Sequence, residues 1–413
     1  GDHRDLHTAY RRQRQMCIRD RIIIDEEHDG SFKQQEGFKY SARDLAIFRA
    51  KKENIPIILG SATPSLESIQ NVEVKKYKQL KLVNSASNTP MPSRYLIDTS
   101  HQRLTSGISQ PLLAKIEKQL NKNKQVLVFI NRRGFAPALS CQNCGWVAEC
   151  RSCHSQKTVH IRPPSIRCHH CGEVSELPTE CPSCGSASIE KLGVGTQKLE
   201  AFLEQNFNDV PVFRVDRDST RKKNQLNEIL SQIGSGEKCI MIGTQMIAKG
   251  LHFPRVTLVG IVYADTGLHL ADFRAGERTF QLLTQVAGRA GRGEVEGEVV
   301  VQTFSPVHPA IQFSRRHDYE GFFEAEMEFR EQLYYPPFTR AAMLTLRGRS
   351  EEKVSFSADY LKKQIEPIVE TISDLQISGP APAPLLRAET FYRYQLMLRT
   401  GPVSYTHLTL PTI

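Results

Sequence analysis

The chain has 413 residues, 39% hydrophobic and 24% charged, the balance of a soluble globular protein with room for two or three domains. No run of eighteen apolar residues and no basic-then-apolar leader occurs, so a cytosolic protein with no membrane partner is expected. With 54 Lys and Arg against 45 Asp and Glu, the net charge of +9 favours a polyanion such as nucleic acid over an acidic small molecule.

In chain order, the basic run from Arg11 to Arg21 enters the first apolar segment without a turn or cap, and residues 1–21 are set aside as foreign to the rest. Short apolar runs then end in Gly, Asp, Asn or Thr: Ile22 to Ile24, Ile57 to Leu59, Val126 to Ile130, Val210 to Val215, Ile240 to Ile242 and Val256 to Val262. They read as buried strands of parallel sheets. Helical patterns lie between them, such as Leu112, Leu113, Ile116 and Leu120, or Leu226, Ile229, Leu230 and Ile233. Alternation of the two predicts an α/β fold.

The boundaries follow from composition. The Ser/Asn/Pro-rich stretch from Asn84 to Ser93 reads as a link, giving a first domain over 22–100 and a second over 101–310, the latter interrupted by a cysteine-rich insertion at 141–184. After Phe304 the pattern becomes aromatic and charged, with breaks at Tyr335-Pro336-Pro337 and Gly379-Pro380-Ala381-Pro382, which predicts a small α+β domain over 311–402. The tail from Val403 to Ile413 has no periodicity and is set aside like the N-terminal run.

Four segments carry chemistry. Asp25-Glu26-Glu27-His28 follows an apolar strand, so an Asp at its end can hold Mg²⁺ through water and the next Glu can orient a water attacking a phosphate. Gly60-Ser61-Ala62-Thr63 ends the following apolar run with small hydroxyl residues that can sense the acids. Between them, Phe32, Phe38, Tyr40 and Phe48 interleave with Lys33, Lys39, Arg43 and Arg49, a composition that suits base stacking with phosphate contact and equally suits a helix with aromatics turned inward. Further on, Gly243-Thr244 closes a strand, and Gln285-Val286-Ala287-Gly288-Arg289-Ala290-Gly291-Arg292 follows a helical pattern. Arg289 and Arg292 are three apart, as paired cations stabilising a transferring phosphoryl group would be.

The metal signal comes from ten cysteines, eight of which form four C-x-x-C pairs, three of them followed by Gly145, Gly172 or Gly185. Eight thiolates make two tetrahedral zinc sites. Fourteen residues separate Cys153 from Cys168, enough for a hairpin, but only five separate Cys144 from Cys150. Nested sites are therefore expected: Cys141, Cys144, Cys181 and Cys184 outside, and Cys150, Cys153, Cys168 and Cys171 inside. A closed four-thiolate set has no open position, so both zincs are expected to be structural.

Asp25 to His28 and Gly60 to Thr63 resemble motifs II and III of superfamily 2 helicases. An eight-cysteine block inserted between motifs IV and V resembles the PriA family of primosomal replication-restart DNA helicases. Lys33-Gln34-Gln35-Glu36-Gly37-Phe38-Lys39-Tyr40 is similar to that family's aromatic-rich loop, and Asn131-Arg132-Arg133-Gly134, Ala271-Asp272-Phe273-Arg274-Ala275-Gly276-Glu277-Arg278 and Arg393-Tyr394-Gln395 extend the likeness over roughly Ile22 to Thr400. The resemblance implies RecA-like lobes with parallel sheets, a double zinc-binding insertion and a small C-terminal DNA- and partner-binding domain. It also implies an ATP- and Mg²⁺-dependent 3′→5′ helicase of the bacterial cytoplasm, associated with the nucleoid, that acts on forked and single-stranded DNA. The implied partners are single-strand-binding protein and other primosome and helicase-loading proteins. By position, Asp25 and Glu26 would be the catalytic acids and Arg289 and Arg292 the fingers. Glu27, His28, Ser61, Thr63 and Gln285 would couple hydrolysis to movement. Phe32, Lys33, Phe38, Lys39, Tyr40, Arg43, Gly243 and Thr244 would meet DNA.

One departure stands out. No G-x-x-x-x-G-K-[ST] loop occurs, so nothing in this sequence supplies the amides and Lys that cradle phosphates. The expectation is a piece of a complete helicase that by itself hydrolyses little ATP. The alternative is a non-catalytic zinc-bearing DNA-binding or primosome scaffold. An RNA helicase of the same superfamily would share the motor but leaves the cysteine block without a purpose.

Overall fold

The computed structural model describes residues 20–34, 37–82, 91–100, 102–131, 139–141, 143–144, 146–151, 157–161, 164–168, 173–191, 196–216, 225–248, 253, 255–268, 272–291, 296–388 and 390–401. The chain divides into two units, Gly1–Lys81 and Leu82–Ile413.

In the first unit, β1 (Ile22–Ile24) and β2 (Ile57–Leu59) pair in parallel, Ile22 opposite Ile57 and Ile24 opposite Leu59. The crossover between them is the helix Ala42–Glu53, which starts where Ser41 Oγ accepts from the Asp44 amide and stops at Asn54 in the left-handed region. A second helix, Leu66–Glu73, leaves β2 with Ser65 as its N-cap. Ile24 and Leu66 are buried, and Ile23 and Ile58, in register with each other, are exposed.

The second unit is larger. β3 (Ser93–Asp98) and β4 (Gln125–Ile130) precede the cysteine block, which holds β5 (Leu139–Cys141), β6 (Thr158–Ile161), β7 (Pro164–Arg167), β8 (Val174–Ser175) and β9 (Ile189–Lys191). β10 (Val212–Val215), β11 (Ile240–Gly243), β12 (Val256–Val262) and β13 (Glu298–Thr303) follow. The main sheet is parallel throughout, in the order β10-β11-β4-β12-β13-β3.

Every residue of β4, β11 and β12 is buried because helices cover both faces. Leu127, Phe129, Val259 and Ile261 pack beneath Leu283 and Val286 of the helix Ala275–Ala287. Their neighbours Val126, Val128, Ile130 and Leu258 face Leu112 and Ile116 of the helix Gln110–Leu120 and Leu199 and Leu203 of the helix Thr196–Asn206. The period-2 alternation of each strand thus feeds two separate cores.

Two boundaries differ from the expectation. The first unit ends at residue 81, not 100, because Ser93–Asp98 adds to the main sheet alongside β13, with Ser93 opposite Glu298 and Asp98 opposite Thr303. The helices Pro309–Arg316 and Tyr319–Gln332, expected in the C-terminal domain, instead pack on the helix Ala275–Ala287. Phe280 stacks on Phe322 with centroids 4.2 Å apart, and the fully buried Arg330 donates to Glu277 at 2.8 Å. The C-terminal domain proper is the antiparallel sheet of β14 (Arg340–Gly348), β15 (Leu375–Ala388) and β16 (Phe391–Thr400), in the order β14-β16-β15, with the helix Glu351–Glu370. Leu396, Val354 and Ala358 are buried there.

Candidate functional site

The first unit builds the acidic motif. The Gly60 amide donates to Ile24 O at 2.8 Å and the Glu27 amide to Gly60 O at 3.1 Å, so the turn after β1 is laced to the turn after β2. Asp25 stands exposed at the strand's C-terminal end, one carboxylate oxygen accepting from the Glu26 amide at 2.9 Å. Glu26 itself adopts φ +49°. Its Oε2 makes no hydrogen bond and lies 3.6 Å from His28 Nδ1.

Glu27 points the other way. Its buried carboxylate accepts from the Ser65 amide at 2.6 Å, Ser65 Oγ at 3.1 Å, Ser68 Oγ at 3.0 Å and Arg43 Nη1 at 2.9 Å. Burial works against the charge of Arg43, but Glu27 and Asp44 outweigh it and hold its pKa above the ordinary value. His28 Nδ1 and Ser61 Oγ are 2.7 Å apart, and Ser61 Oγ also accepts from the Thr63 amide at 2.9 Å, so the two motifs are hydrogen-bonded to each other.

Of the residues expected to meet DNA, Phe38, Lys39 and Tyr40 are exposed, the two rings 6.2 Å apart, and Lys33 is exposed while Phe32 is half-buried. Arg43 is different. Its guanidinium is committed to Glu27 and Ser65 inside the unit. Ser68 is a contributor that sequence reasoning passed over; the Ser65-x-x-Ser68 spacing at a helix start was the available signal.

In the second unit, Gly243 is buried at the C-terminal end of β11, with Thr244 next to it. Gln285 and Arg289 sit at the far end of the helix Ala275–Ala287, where the Gly291 amide donates to Val256 O at 3.0 Å at the start of β12. Since the strands are parallel, the Gly243-Thr244 turn and the Arg289 segment lie at opposite edges of the sheet. Arg289 is buried; Arg292 lies outside the described residues.

The cysteine block folds as expected for its outer set. The pairing of β5 with β9 brings the first and last knuckles together, with Cys141 opposite Ile189. The sulfurs of Cys141, Cys144, Cys181 and Cys184 all lie within 4.8 Å of one another, with Cys141–Cys184 and Cys144–Cys181 both at 3.6 Å. A tetrahedron with arms of about 2.3 Å has edges of about 3.8 Å, so four soft donors at this spacing fit a zinc ion. The Asn143 amide lies 3.4 Å from Cys141 Sγ, and its side-chain nitrogen 4.0 Å from Cys184 Sγ. Desolvation opposes ionisation of Cys141, but the Cys144 and Asn143 amides prevail and draw its thiol down to about 7. The Ser186 amide favours the Cys184 thiolate, yet desolvation and the neighbouring thiols push it up to about 11.

For the inner set, Cys150 and Cys168 are buried, and Cys153 and Cys171 lie outside the described residues. Cys150 Sγ donates to Glu173 Oε2 at 2.9 Å, and the buried Lys157 reaches Glu173 Oε1 at 2.6 Å and Ser175 Oγ at 2.5 Å. The Glu173 carboxylate thus links the buried Lys157 to the Cys150 thiol.

Residues 331–409 match the Primosomal protein N C-terminal domain, and residues 187–294 match the Helicase conserved C-terminal domain. The chain is 45% identical to the Replication restart protein PriA of Haemophilus influenzae over 382 residues, 92% of this chain and 52% of that protein. It is 40% identical to the protein of the same name from Bacillus subtilis over 382 residues, 92% of this chain and 47% of that one. With that of Synechocystis the identity is 41% over 392 residues, again 92% and 47%.

The chain belongs to the PriA family. It spans about half the length of these PriA relatives. The helicase match includes Gly243, Thr244, Gln285, Arg289 and Arg292, and the PriA C-terminal match includes β14, β15 and β16. In PriA terms the parallel sheet of the second unit is a RecA-like C-terminal helicase lobe, interrupted by a cysteine cluster able to bind metal.

Proposed function

We propose that this chain is the motif II to motif VI portion of an ATP-dependent 3′→5′ DNA helicase that recognises stalled or collapsed forks and starts primosome assembly. The observation that carries the reading is the split of three consecutive acids. Glu27 is sunk into serine hydroxyls and Arg43, which holds Asp25 and Glu26 at the open end of a parallel strand. An exposed Asp in that position suits Mg²⁺ held through water, and a Glu oxygen left without a hydrogen bond suits the orientation of an attacking water. ATP and Mg²⁺ would supply the phosphoryl chemistry, with Arg289 and Arg292 stabilising charge on the phosphates.

The hydrogen bond between His28 and Ser61 supports a coupling role for Glu27, His28, Ser61 and Thr63, and this reading gives Gln285 a coupling role as well. Phe32, Lys33, Phe38, Lys39 and Tyr40 would stack bases and meet phosphates, together with Gly243 and Thr244. Zinc is assigned to both cysteine sets, as a structural ion in each. Single-strand-binding protein and helicase-loading proteins are the partners this reading assigns, in the bacterial cytoplasm at the nucleoid.

The test is DNA-stimulated ATP hydrolysis by the full-length protein and by this chain alone. Hydrolysis is expected from the full-length protein and to vanish in Glu26→Gln, with little or none from the chain alone, whose sequence has no G-x-x-x-x-G-K-[ST] loop. Full activity in Glu26→Gln would sink the assignment.

A further inference from the structure

The helix Ala275–Ala287 ends in the segment that presents Gln285 and Arg289, so whatever fixes this helix fixes them. Its N-terminal end is held by groups from outside the main sheet. Phe273, two residues before the helix, stacks on Tyr335 with centroids 5.1 Å apart and planes 8° from parallel. Arg274 and Arg330 lie over the Phe273 ring at 5.1 and 5.2 Å. On the other ring, Arg399 of β16 lies over Tyr335 at 5.0 Å.

Arg399 is itself anchored. Its Nη1 donates to Leu333 O at 2.8 Å and its Nη2 to Ser378 Oγ of β15 at 2.9 Å. One guanidinium therefore touches the C-terminal sheet, the end of the helix Tyr319–Gln332 and the aromatic pair. A turn further along, Glu277 takes Arg330 at 2.8 Å, and the Glu326 carboxylate, which accepts from the same guanidinium at 3.1 Å, lies against Gly276, so the two helices are tied through one buried cation.

We infer that the Phe273–Tyr335 stack, clamped by Arg399, is the means by which the C-terminal β-domain positions the helix that presents Gln285 and Arg289. Tyr335 and Arg399 are then positioning residues for the ATPase. The functional half of this inference rests on the helicase reading above; the mechanical half stands on the contacts alone. Cations placed against both rings of one half-buried aromatic pair make a joint that transmits a shift of β16 to the loop 272–274. Loss of either ring or of the clamp should loosen the helix far from the substitution, towards its Arg289 end.

Hydrogen exchange of the chain as it stands separates these possibilities. Tyr335→Leu and Arg399→Met are expected to speed amide exchange in peptides covering 281–291 about tenfold while β4 and β12 keep their protection, and Tyr335→Phe, which retains the ring, should behave as the parent. Exchange that rises only within 333–340 and β16, or across the whole main sheet, overturns the inference; Arg399→Met decides the matter if Tyr335→Leu fails to fold. In the full-length protein, Tyr335→Leu is expected to lower kcat for ATP at least fivefold with KM and DNA binding unchanged, and Tyr335→Phe to restore it. An unchanged kcat overturns the functional half. A parent protein with no ATPase at all counts against the helicase reading and leaves the exchange result to decide the mechanical half.

Discussion

Glu27 Oε2 lies 2.9 Å from Arg43 Nη1, and Ser65 Oγ accepts from the same nitrogen at 2.8 Å. The last acid of the motif is thereby neutralised by a residue from the segment expected to face DNA. A carboxylate this deeply buried needs its partner: removing one member of a buried pair leaves a charge without compensation. Arg43→Met is expected to destabilise the first unit by about 3 kcal/mol, read from a urea unfolding curve. Arg43→Lys should recover only part of the loss, since one ammonium can take over the bonds of Nη1 to Glu27 and Ser65 but not, at the same time, the Nε contact with Asp44 at 3.3 Å. A neutral Arg43→Met would show that solvent already reaches Glu27.

The zinc assignment makes a stoichiometric prediction. Two zinc ions per chain are expected by elemental analysis, and Cys184→Ser should lower this to one while leaving the inner set loaded. The two sets use separate sulfurs, and only the outer four depend on the pairing of β5 with β9. Loss of both ions in Cys184→Ser would mean that the sets fold as one unit. Zero or one ion in the parent would overturn the eight-thiolate reading.

What the sequence disclosed follows from how each element is buried. β4, β11 and β12 are covered on both faces and so appear as unbroken apolar runs. β3, reading Ser-Arg-Tyr-Leu-Ile-Asp at the edge of the sheet, has Tyr95 exposed and carries no such run. Phe322 and Arg330 looked like part of a separate aromatic domain because composition does not say which surface an aromatic covers; the partners Phe280 and Glu277 are more than forty residues away. The acids at the end of β1 and the outer cysteine knuckles could be placed from sequence because their spacing is local. Arg43 was not, since interleaved aromatics and cations have the same composition whether they face a base or a carboxylate.

Glu326 gives a pH prediction. Burial, chiefly, pushes its carboxyl from 4.5 up to about 7, against the pull of the nearby Arg330, while Glu277 adds to the rise. One buried guanidinium thus serves two carboxyl groups. The folded protein binds this proton more tightly than the unfolded chain does, so the contribution is fully present below about pH 4.5 and is lost as pH rises through about 7. The loss is at most about 3 kcal/mol. Denaturation midpoints from pH 5 to 8 should fall for the parent and fall less for Glu326→Gln, whose amide oxygen can still accept from Arg330. An identical slope in both proteins would place the titration elsewhere.

Two glycines that look alike in sequence, each ending a strand just before a hydroxyl residue, should respond in opposite ways to alanine. A Cβ on Gly243 would overlap the side chain of Ile247, which is itself fully buried in the core with Leu127 and Phe129 and has nowhere to move. Overpacking of this kind costs about 1–3 kcal/mol. A Cβ on Gly60 would meet only Ile24 O at 3.6 Å and Asp25 Oδ1 at 3.8 Å, ordinary contact distances, and its backbone is not in the left-handed region. Gly60→Ala should therefore be neutral, or stabilise by up to about 1 kcal/mol through the unfolded chain. Urea midpoints of the two variants provide the comparison. A large loss from Gly60→Ala would mean that the turn beside Ile24 and Asp25 has less room than these contact distances give it.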